Sequence, residues 1–293
     1  MELLANPRGN YCFLSGIDPY SCGVVADPGH EVVHATLQAP LPWRDGFELI
    51  DAHLATAGRG REALCGIQLR SPEPFTMAGF KEFNKGYIEL LQSWGLYMGD
   101  LNPVARTNVA PEDFPPEVVS LQAFSYTSPA GPDAPMTFVV AGAGELREAA
   151  LDEDTIVRKG ELGPDAMREK ARHVAAIMEE RLVGLGAGWH QVTTVDVYTV
   201  HLLEGLLEDA VLPTVGEASR HGLRWINSRP PVREIEFEMD LRGTRTELTL
   251  QATPQGLGSQ PAGARSALPA GVADRYSMKY PPGVSSPRPT AST

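Results

Sequence analysis

The sequence has few cysteines and no long apolar run. Its three cysteines, Cys12, Cys22 and Cys65, form no CxxC pair, and their odd number argues against a closed set of disulfides. No window approaches the ~18 apolar residues of a membrane-spanning helix, and the first residues lack the apolar stretch of a signal peptide. We therefore predict a cytoplasmic protein with free thiols and no membrane contact.

The sequence also lacks an excess of basic residues. Lys and Arg together number 25 against 37 Asp plus Glu, which gives a net charge of −12. A chain this acidic, with no visible cluster of basic residues, repels the phosphate backbone of nucleic acids. Nucleic acid is therefore not expected as a partner. The hydrophobic residues, 42% of the total, are enough for an ordinary soluble core.

A repeated order of predicted elements occupies residues 1–250. Hydrophobic spacing predicts helices over 45–57, 77–94, 165–183 and 202–219, the last interrupted by Pro213. Strands are predicted at 31–37, 64–69, 105–110, 118–126, 137–140, 192–200, 223–227 and 232–250. Each half therefore reads strand, helix, strand, helix, strand, strand, which predicts an α+β fold with two tandem domains of one architecture.

The domain boundaries follow from this repeat and from a change in composition. We predict domain 1 over 1–128, domain 2 over 129–250 and a disordered tail over 251–293. The tail is rich in Pro, Gly and Ser and contains a single acid, Asp274. Such a segment buries too little apolar surface to offset the entropy lost on ordering.

The segment His30-Glu31-Val32-Val33-His34 fits the HExxH pattern of zinc hydrolases. On a helix the two histidines would share a face and could bind one zinc ion, with Glu31 as the general base. The neighbouring valines favour a strand, in which the two imidazoles would be ~13 Å apart. We therefore predict no metal, and keep a zinc hydrolase as an alternative.

Gly142-Ala143-Gly144 after a predicted strand suggests a dinucleotide-binding loop, but Arg147 occupies the third glycine position. The strand-to-helix turn that such a loop needs is missing as well. We interpret the segment as a glycine-rich turn and predict no cofactor.

Three short segments of the first half stand out together. They are Asp18-Pro19-Tyr20-Ser21-Cys22-Gly23-Val24, Phe80-Lys81-Glu82-Phe83-Asn84-Lys85-Gly86-Tyr87 and Asn102-Pro103-Val104-Ala105-Arg106-Thr107-Asn108-Val109. In this order and at nearly this spacing they resemble the RidA/YjgF family, with its G-P-Y-S-Q-like turn, its F-x-x-F-N-x-x-Y helix and its P-A-R-T-x-V strand. The second half resembles the family more loosely and has no P-A-R motif.

The resemblance implies a fold and a chemistry. Each half would be a RidA/YjgF-like (chorismate-mutase-like) domain, a mixed sheet covered on one face by two helices, and the protein would be a homotrimer with clefts between neighbouring units. Enzymes of the family hydrolyse imino or enamino acids to keto acids and ammonia. By the same resemblance Arg106 would grip the substrate carboxylate, and the substrate-binding residues would be Tyr20, Asn84 and Asn108. A planar guanidinium suits this role because it binds a carboxylate in a bidentate manner.

Departures from the family pattern leave alternatives open. The family places a glutamate that positions water where this chain has Ser120. An acid of the second half, Glu234, Glu236 or Glu238, could complete a composite site, or these residues could form a solvated strand face. The leading hypothesis is a deaminase of a small imino or enamino carboxylate. The alternative is a non-catalytic member of the fold that binds a small carboxylate.

Overall fold

The computed structural model describes residues 1–147, 151–202 and 204–251. The strands in these ranges are Leu3–Asn6 (β1), Tyr11–Leu14 (β2), Gly23–Ala26 (β3), His30–Pro42 (β4), Leu64–Arg70 (β5), Ala105–Pro111 (β6), Ser120–Pro129 (β7), Phe138–Gly144 (β8), Thr194–Thr199 (β9), Arg224–Arg229 (β10), Glu238–Gly243 (β11) and Thr246–Leu250 (β12). Apart from Gln251, the tail predicted over 251–293 lies outside the described residues.

Three of the four predicted helices are confirmed, and the fourth differs. The confirmed helices are Trp43–Thr56 (α1), Met77–Ser93 (α2) and Pro164–Gly184 (α3). Over 202–219, where a helix interrupted by Pro213 was predicted, the described residues form a π-helical turn, a four-residue helix Leu212–Val215 (α4) and a 3-10 segment. Pro213 is a reason for the interruption, because a proline inside a helix has no N–H to donate. None of the described helices is long and apolar enough to cross a membrane.

The strands form one large mixed sheet in the order β1-β2-β3-β8-β11-β9-β10-β6-β5-β7-β4-β12. The predicted α+β class is therefore confirmed. The N-terminal strands β1, β2 and β3 were not predicted, and β3 pairs with β8 from the second half, with Gly23 opposite Val140. The division into two tandem domains stays a prediction.

The sheet bends back on itself, so that β5 and β6 face β8 and β11. Gln68 on β5 donates from its Nε2 to Asp240 Oδ2 on β11 at 3.1 Å. On β8, the backbone N–H of Gly142 donates to Thr107 Oγ1 on β6 at 3.0 Å. Helices α1 and α2 cover one end of this sheet and α3 the other, each with its own apolar core. Polar side chains that face inward between these strands are the source of the candidate site.

The HExxH segment lies on strand β4, not on a helix. His34 is buried, and its Nδ1 lies 2.9 Å from Ser125 Oγ. Burial lowers the pKa of His34 to about 3, so the ring is neutral at physiological pH. The zinc-hydrolase alternative requires both histidines on one helical face, and the extended backbone of this segment does not provide it.

A buried ion pair fixes the start of β11. Lys170 on α3 and Glu145 just after β8 are fully buried, with Nζ and Oε1 3.0 Å apart. The Glu145 carboxylate also accepts the backbone N–H groups of Glu236 and Phe237 at 2.7 and 3.0 Å. Since removing one partner would leave a buried charge unpaired, the pair holds this backbone firmly in place. The residue that follows, Glu238, lies in the candidate site.

Candidate functional site

A cavity of about 340 Å³ lies between α3 and strands β6, β8 and β11. Three of the four residues predicted from the sequence, Tyr20, Arg106 and Asn108, line it. The fourth, Asn84 on α2, stands behind Arg106 and accepts a hydrogen bond from its Nη2 at 2.8 Å. The volume is within the range of about 300–1,000 Å³ that small-molecule sites occupy.

The three segments singled out in the sequence meet at this cavity. The turn that carries Tyr20 is tied to the strand of Arg106, because the Ser21 N–H donates to Val104 O at 3.0 Å. The Asn102 side chain adds a second tie by donating from Nδ2 to Pro19 O at 2.8 Å. The three segments of the first half therefore come together around Arg106.

The guanidinium of Arg106 is enclosed by aromatic rings. The side chain is only 3% exposed, and the ring centroids lie 4.6–5.9 Å from its Cζ. These rings belong to Tyr20, Tyr87, Phe80 and Phe83. Burial lowers the pKa of Arg106, but an arginine remains protonated at physiological pH. Stacking on the rings fixes the cation in place.

Two side-chain donors of β6 have no partner among the described residues. They are Arg106 Nη1 and Asn108 Nδ2. The two residues are two positions apart on the strand, so they face the same side. A second polar atom of each side chain is already bonded. Arg106 Nη2 donates to Asn84 Oδ1, and Asn108 Oδ1 accepts a hydrogen bond from Ser71 Oγ at 3.0 Å. A buried cation beside a free amide donor is an arrangement suited to a carboxylate.

Glu238 on β11 supplies the acid that the first half lacks. It lines the cavity and is 4% exposed. Burial, with a further contribution from Asp240, raises the pKa of Glu238 well above its usual value. The two other acids considered in the sequence lie elsewhere, Glu234 paired with Lys159 at 3.2 Å and Glu236 with His201 at 2.8 Å. The position of Glu238 therefore favours a composite site over a solvated strand face.

Gly142 on β8 makes room for the Glu238 carboxyl group. The segment interpreted as a glycine-rich turn is part of strand β8, whose register against β11 shifts between Ala143 and Val140. Gly142 has no positive φ. A Cβ on Gly142 would come within 2.2 Å of Glu238 Oε1. The close approach of the Glu238 side chain therefore explains the glycine at position 142, without the phosphate contact of a dinucleotide-binding loop.

We expect Gly142→Ala to lower kcat with little change in secondary structure, because the added methyl group displaces the Glu238 carboxyl. A displacement of about 1 Å can cost on the order of a hundredfold in rate. Steady-state kinetics and circular dichroism would test this. Gly131→Ala is the matched control, since its Cβ would meet nothing within 4 Å. Equal kcat values for the Gly142→Ala variant and the control would contradict the prediction.

Arg181 on α3 is a cavity residue that the sequence analysis missed. Its Nη1 donates to the backbone oxygens of Ala141 at 2.8 Å and Gly142 at 3.3 Å. His173, Ile177 and Arg181 line the cavity at four-residue intervals along α3, beside the stripe that packs into the core. This spacing is the signal that would have identified it.

Comparison with known proteins supports a deaminase. A model of the family described as "2-aminomuconate deaminase CnbZ" matches residues 3–248. A 2-amino-5-chloromuconate deaminase from Comamonas testosteroni is 38% identical over 244 residues, 83% of this chain and 96% of the relative.

The solved structures that match this chain are far more distant in sequence. A chorismatase is 10% identical with a TM-score of 0.47, over 83% of this chain and 80% of its own. A putative endoribonuclease from Thermotoga maritima is 17% identical with a TM-score of 0.29, over 46% of this chain and 91% of its own. The narrower assignment to a tandem RidA/YjgF protein stays a prediction. By the family match and the 38% identical relative, the chain belongs to the 2-aminomuconate deaminase CnbZ family.

Proposed function

We propose that this protein hydrolyses an enamine of the 2-aminomuconate type to a 2-oxo acid and ammonia. One observation carries the proposal: an unpartnered donor of the buried cation Arg106 and the buried carboxyl group of Glu238 line the same cavity. The first can hold the carboxylate beside the reacting carbon, and the second can transfer protons to and from the substrate. The family and the 38% identical relative support the choice of substrate class.

Such a substrate has its amino group on C2 of a conjugated six-carbon chain with a carboxylate at each end. Arg106 Nη1 and Asn108 Nδ2 are the donors for the C1 carboxylate. Binding there brings C2 into the cavity, beside the apolar side chains of Phe80 and Ile235. Because C2 is held in one orientation, its reaction with the acid and with water occurs between groups that are already positioned.

The raised pKa of Glu238 suits an acid that later acts as a base. In its protonated form Glu238 gives its proton to C3 of the enamine, which leaves a C2 iminium ion. The resulting carboxylate takes a proton from water as the water oxygen bonds to C2. Transfer of that proton to nitrogen makes ammonia the leaving group. The C2 hydroxyl proton then passes to Glu238 as the C2=O bond closes and the C2–N bond breaks, which releases ammonia and restores the protonated acid. The sum is one enamine and one water converted to one 2-oxo acid and one ammonia.

The non-catalytic alternative rested on the missing carboxylate near Ser120. Ser120 lies on β7, where its Oγ donates to Val118 O at 2.8 Å, and it does not line the cavity. Because Glu238 brings a carboxyl group to the cavity from the other half of the chain, that reason for a purely binding role no longer applies. We retain the homotrimer as a proposal.

Ammonia release from freshly generated 2-aminomuconate tests the function directly. The purified protein is expected to release ammonia and the 2-oxo acid in equal amounts, well above the rate of spontaneous hydrolysis. The matched blank contains protein inactivated by heat. Rates equal to that blank, with the folded protein in excess, would contradict the proposal.

A further inference from the structure

Besides Arg106, two guanidinium groups line the candidate cavity: Arg147, which is exposed, and Arg181, which is half-buried. Arg181 is the one held within the cavity wall. Arg181 reaches it from α3, whereas Arg106 reaches it from β6. Both guanidinium groups lower the pKa of the Tyr20 hydroxyl, against a larger rise caused by its burial. The two charges therefore act on the same side chain at the cavity wall.

Arg181 is held in place without being neutralised. Its Nη1 binds only the backbone oxygens of Ala141 and Gly142, and its buried Nε has no partner in the described residues. Neither Arg181 nor Arg106 forms an ion pair within the described ranges 1–147, 151–202 and 204–251. Other arginines of the same region do, for example Arg168 with Asp209 at 2.8 Å. A fixed, unpaired cation at a cavity wall is a binding group for an anion.

Most of the remaining lining is apolar. The other charged residues are Arg147 and the acids Glu180 and Glu238. Ile177, Val232 and Ile235 contribute aliphatic surface that can pack against a carbon chain. A ligand with an apolar middle and a carboxylate at each end would satisfy both Arg106 and Arg181. A monocarboxylate would leave one of them unpaired, which costs binding free energy.

We propose that Arg181 binds the carboxylate at the far end of the substrate and so selects dicarboxylates over monocarboxylates. The inference rests on the proposed function, because it assigns Arg106 to the carboxylate beside the reacting carbon. Arg181 is then a specificity residue whose loss raises KM more than it lowers kcat.

Binding of two unreactive acids separates this inference from catalysis. Adipate and hexanoate have six carbons each and differ in the far carboxylate. Their Kd values would be measured by calorimetry for the wild type, Arg181→Gln and Arg172→Gln. Arg172 is the matched control because it lies on the same helix and also donates to a backbone oxygen, that of Asp209, but does not line the cavity.

We expect Arg181→Gln to raise the Kd of adipate about ten- to a hundredfold, since a charged hydrogen bond contributes on the order of 1.5–3 kcal/mol. The Kd of hexanoate should rise much less, and Arg172→Gln should match the wild type for both acids. Arg181→Lys gives a second variant that keeps the charge without the planar fork, and a partial loss of adipate binding is expected.

An adipate-to-hexanoate ratio in Arg181→Gln equal to that of the wild type would overturn the inference. This ratio stays unchanged if both Kd values rise equally, a result that would mean that Arg181 and Arg106 bind one carboxylate together. Because neither acid is turned over, these outcomes do not depend on deaminase activity. Failure of the ammonia-release assay with normal adipate selectivity would instead reject the proposed function and leave the dicarboxylate subsite in place.

Discussion

Replacing Arg106 with lysine is expected to lower kcat/KM for the enamine about ten- to a hundredfold, since hydrogen bonds to charged groups contribute on the order of 1.5–3 kcal/mol. The change removes the unpartnered Nη1 donor and the planar guanidinium group to which we assign the C1 carboxylate. If Arg106 had only a structural role, Arg106→Lys would lower the melting temperature and leave kcat/KM unchanged. The expected loss is in substrate turnover.

The variant should still fold, because the lysine ammonium remains within the same aromatic enclosure and beside Asn84 Oδ1. Thermal melting and ammonia release measured on the same sample separate folding from function. Arg59→Lys is the control, since Arg59 also makes several hydrogen bonds, to Thr127 and Asn10, but does not line the cavity. Unchanged kcat/KM in a folded Arg106→Lys protein would exclude Arg106 from the site.

The Arg106 side of the site could be predicted because local motifs carry it. Tyr20, Arg106 and Asn108 stand in the short segments that carry the resemblance to the RidA/YjgF family, and it was this resemblance that implied their roles. Helices α1, α2 and α3 were equally accessible, since each keeps apolar residues at helical spacing over three or more turns. Each of these patterns lies within a single secondary-structure element, so it can be recognised from the local sequence.

The Glu238 side could not be predicted because it depends on contacts between distant parts of the chain. Glu238 is one of three alternating acids, and only the folding of β11 over β5 decides which acid enters the cavity. Strands β1, β2 and β3 are four residues each, too short for a periodic signal, and β3 finds its partner β8 in the other half. The interruption of the fourth helix, by contrast, could be predicted, because its cause, Pro213, is local.

Glu238→Gln is expected to lower kcat by about a hundred- to ten-thousandfold, the usual contribution of a positioned acid–base group. Glutamine keeps the shape of the side chain but has no acidic proton to give to the enamine carbon. In the wild type, kcat/KM should fall as the pH rises through the raised pKa of Glu238, because the protonated form starts the reaction. That decline should be absent from the residual activity of the variant.

The same substitution has a stability signature with a definite sign. In the unfolded chain a glutamic acid has a pKa of about 4.3. Burial raises the pKa of Glu238 in the folded protein, so the native state holds a proton that the unfolded chain has lost. Its stabilising contribution is complete below the unfolded pKa and is lost as the pH rises through the folded pKa. The free energy of unfolding of Glu238→Gln, relative to the wild type, should therefore increase with pH across that interval.

Urea unfolding at several pH values, paired with ammonia-release kinetics on the same preparations, measures both effects of Glu238→Gln. Glu236→Gln is the matched control, two residues away, with its carboxylate bound to His201 outside the cavity. That control should keep the decline of kcat/KM at high pH. A Glu238→Gln protein with kcat within threefold of the wild type would remove the acid–base role from Glu238. A loss of kcat without the relative gain in stability at high pH would mean that Glu238 is ionised in the folded protein, so that water activation and not protonation of C3 is its task.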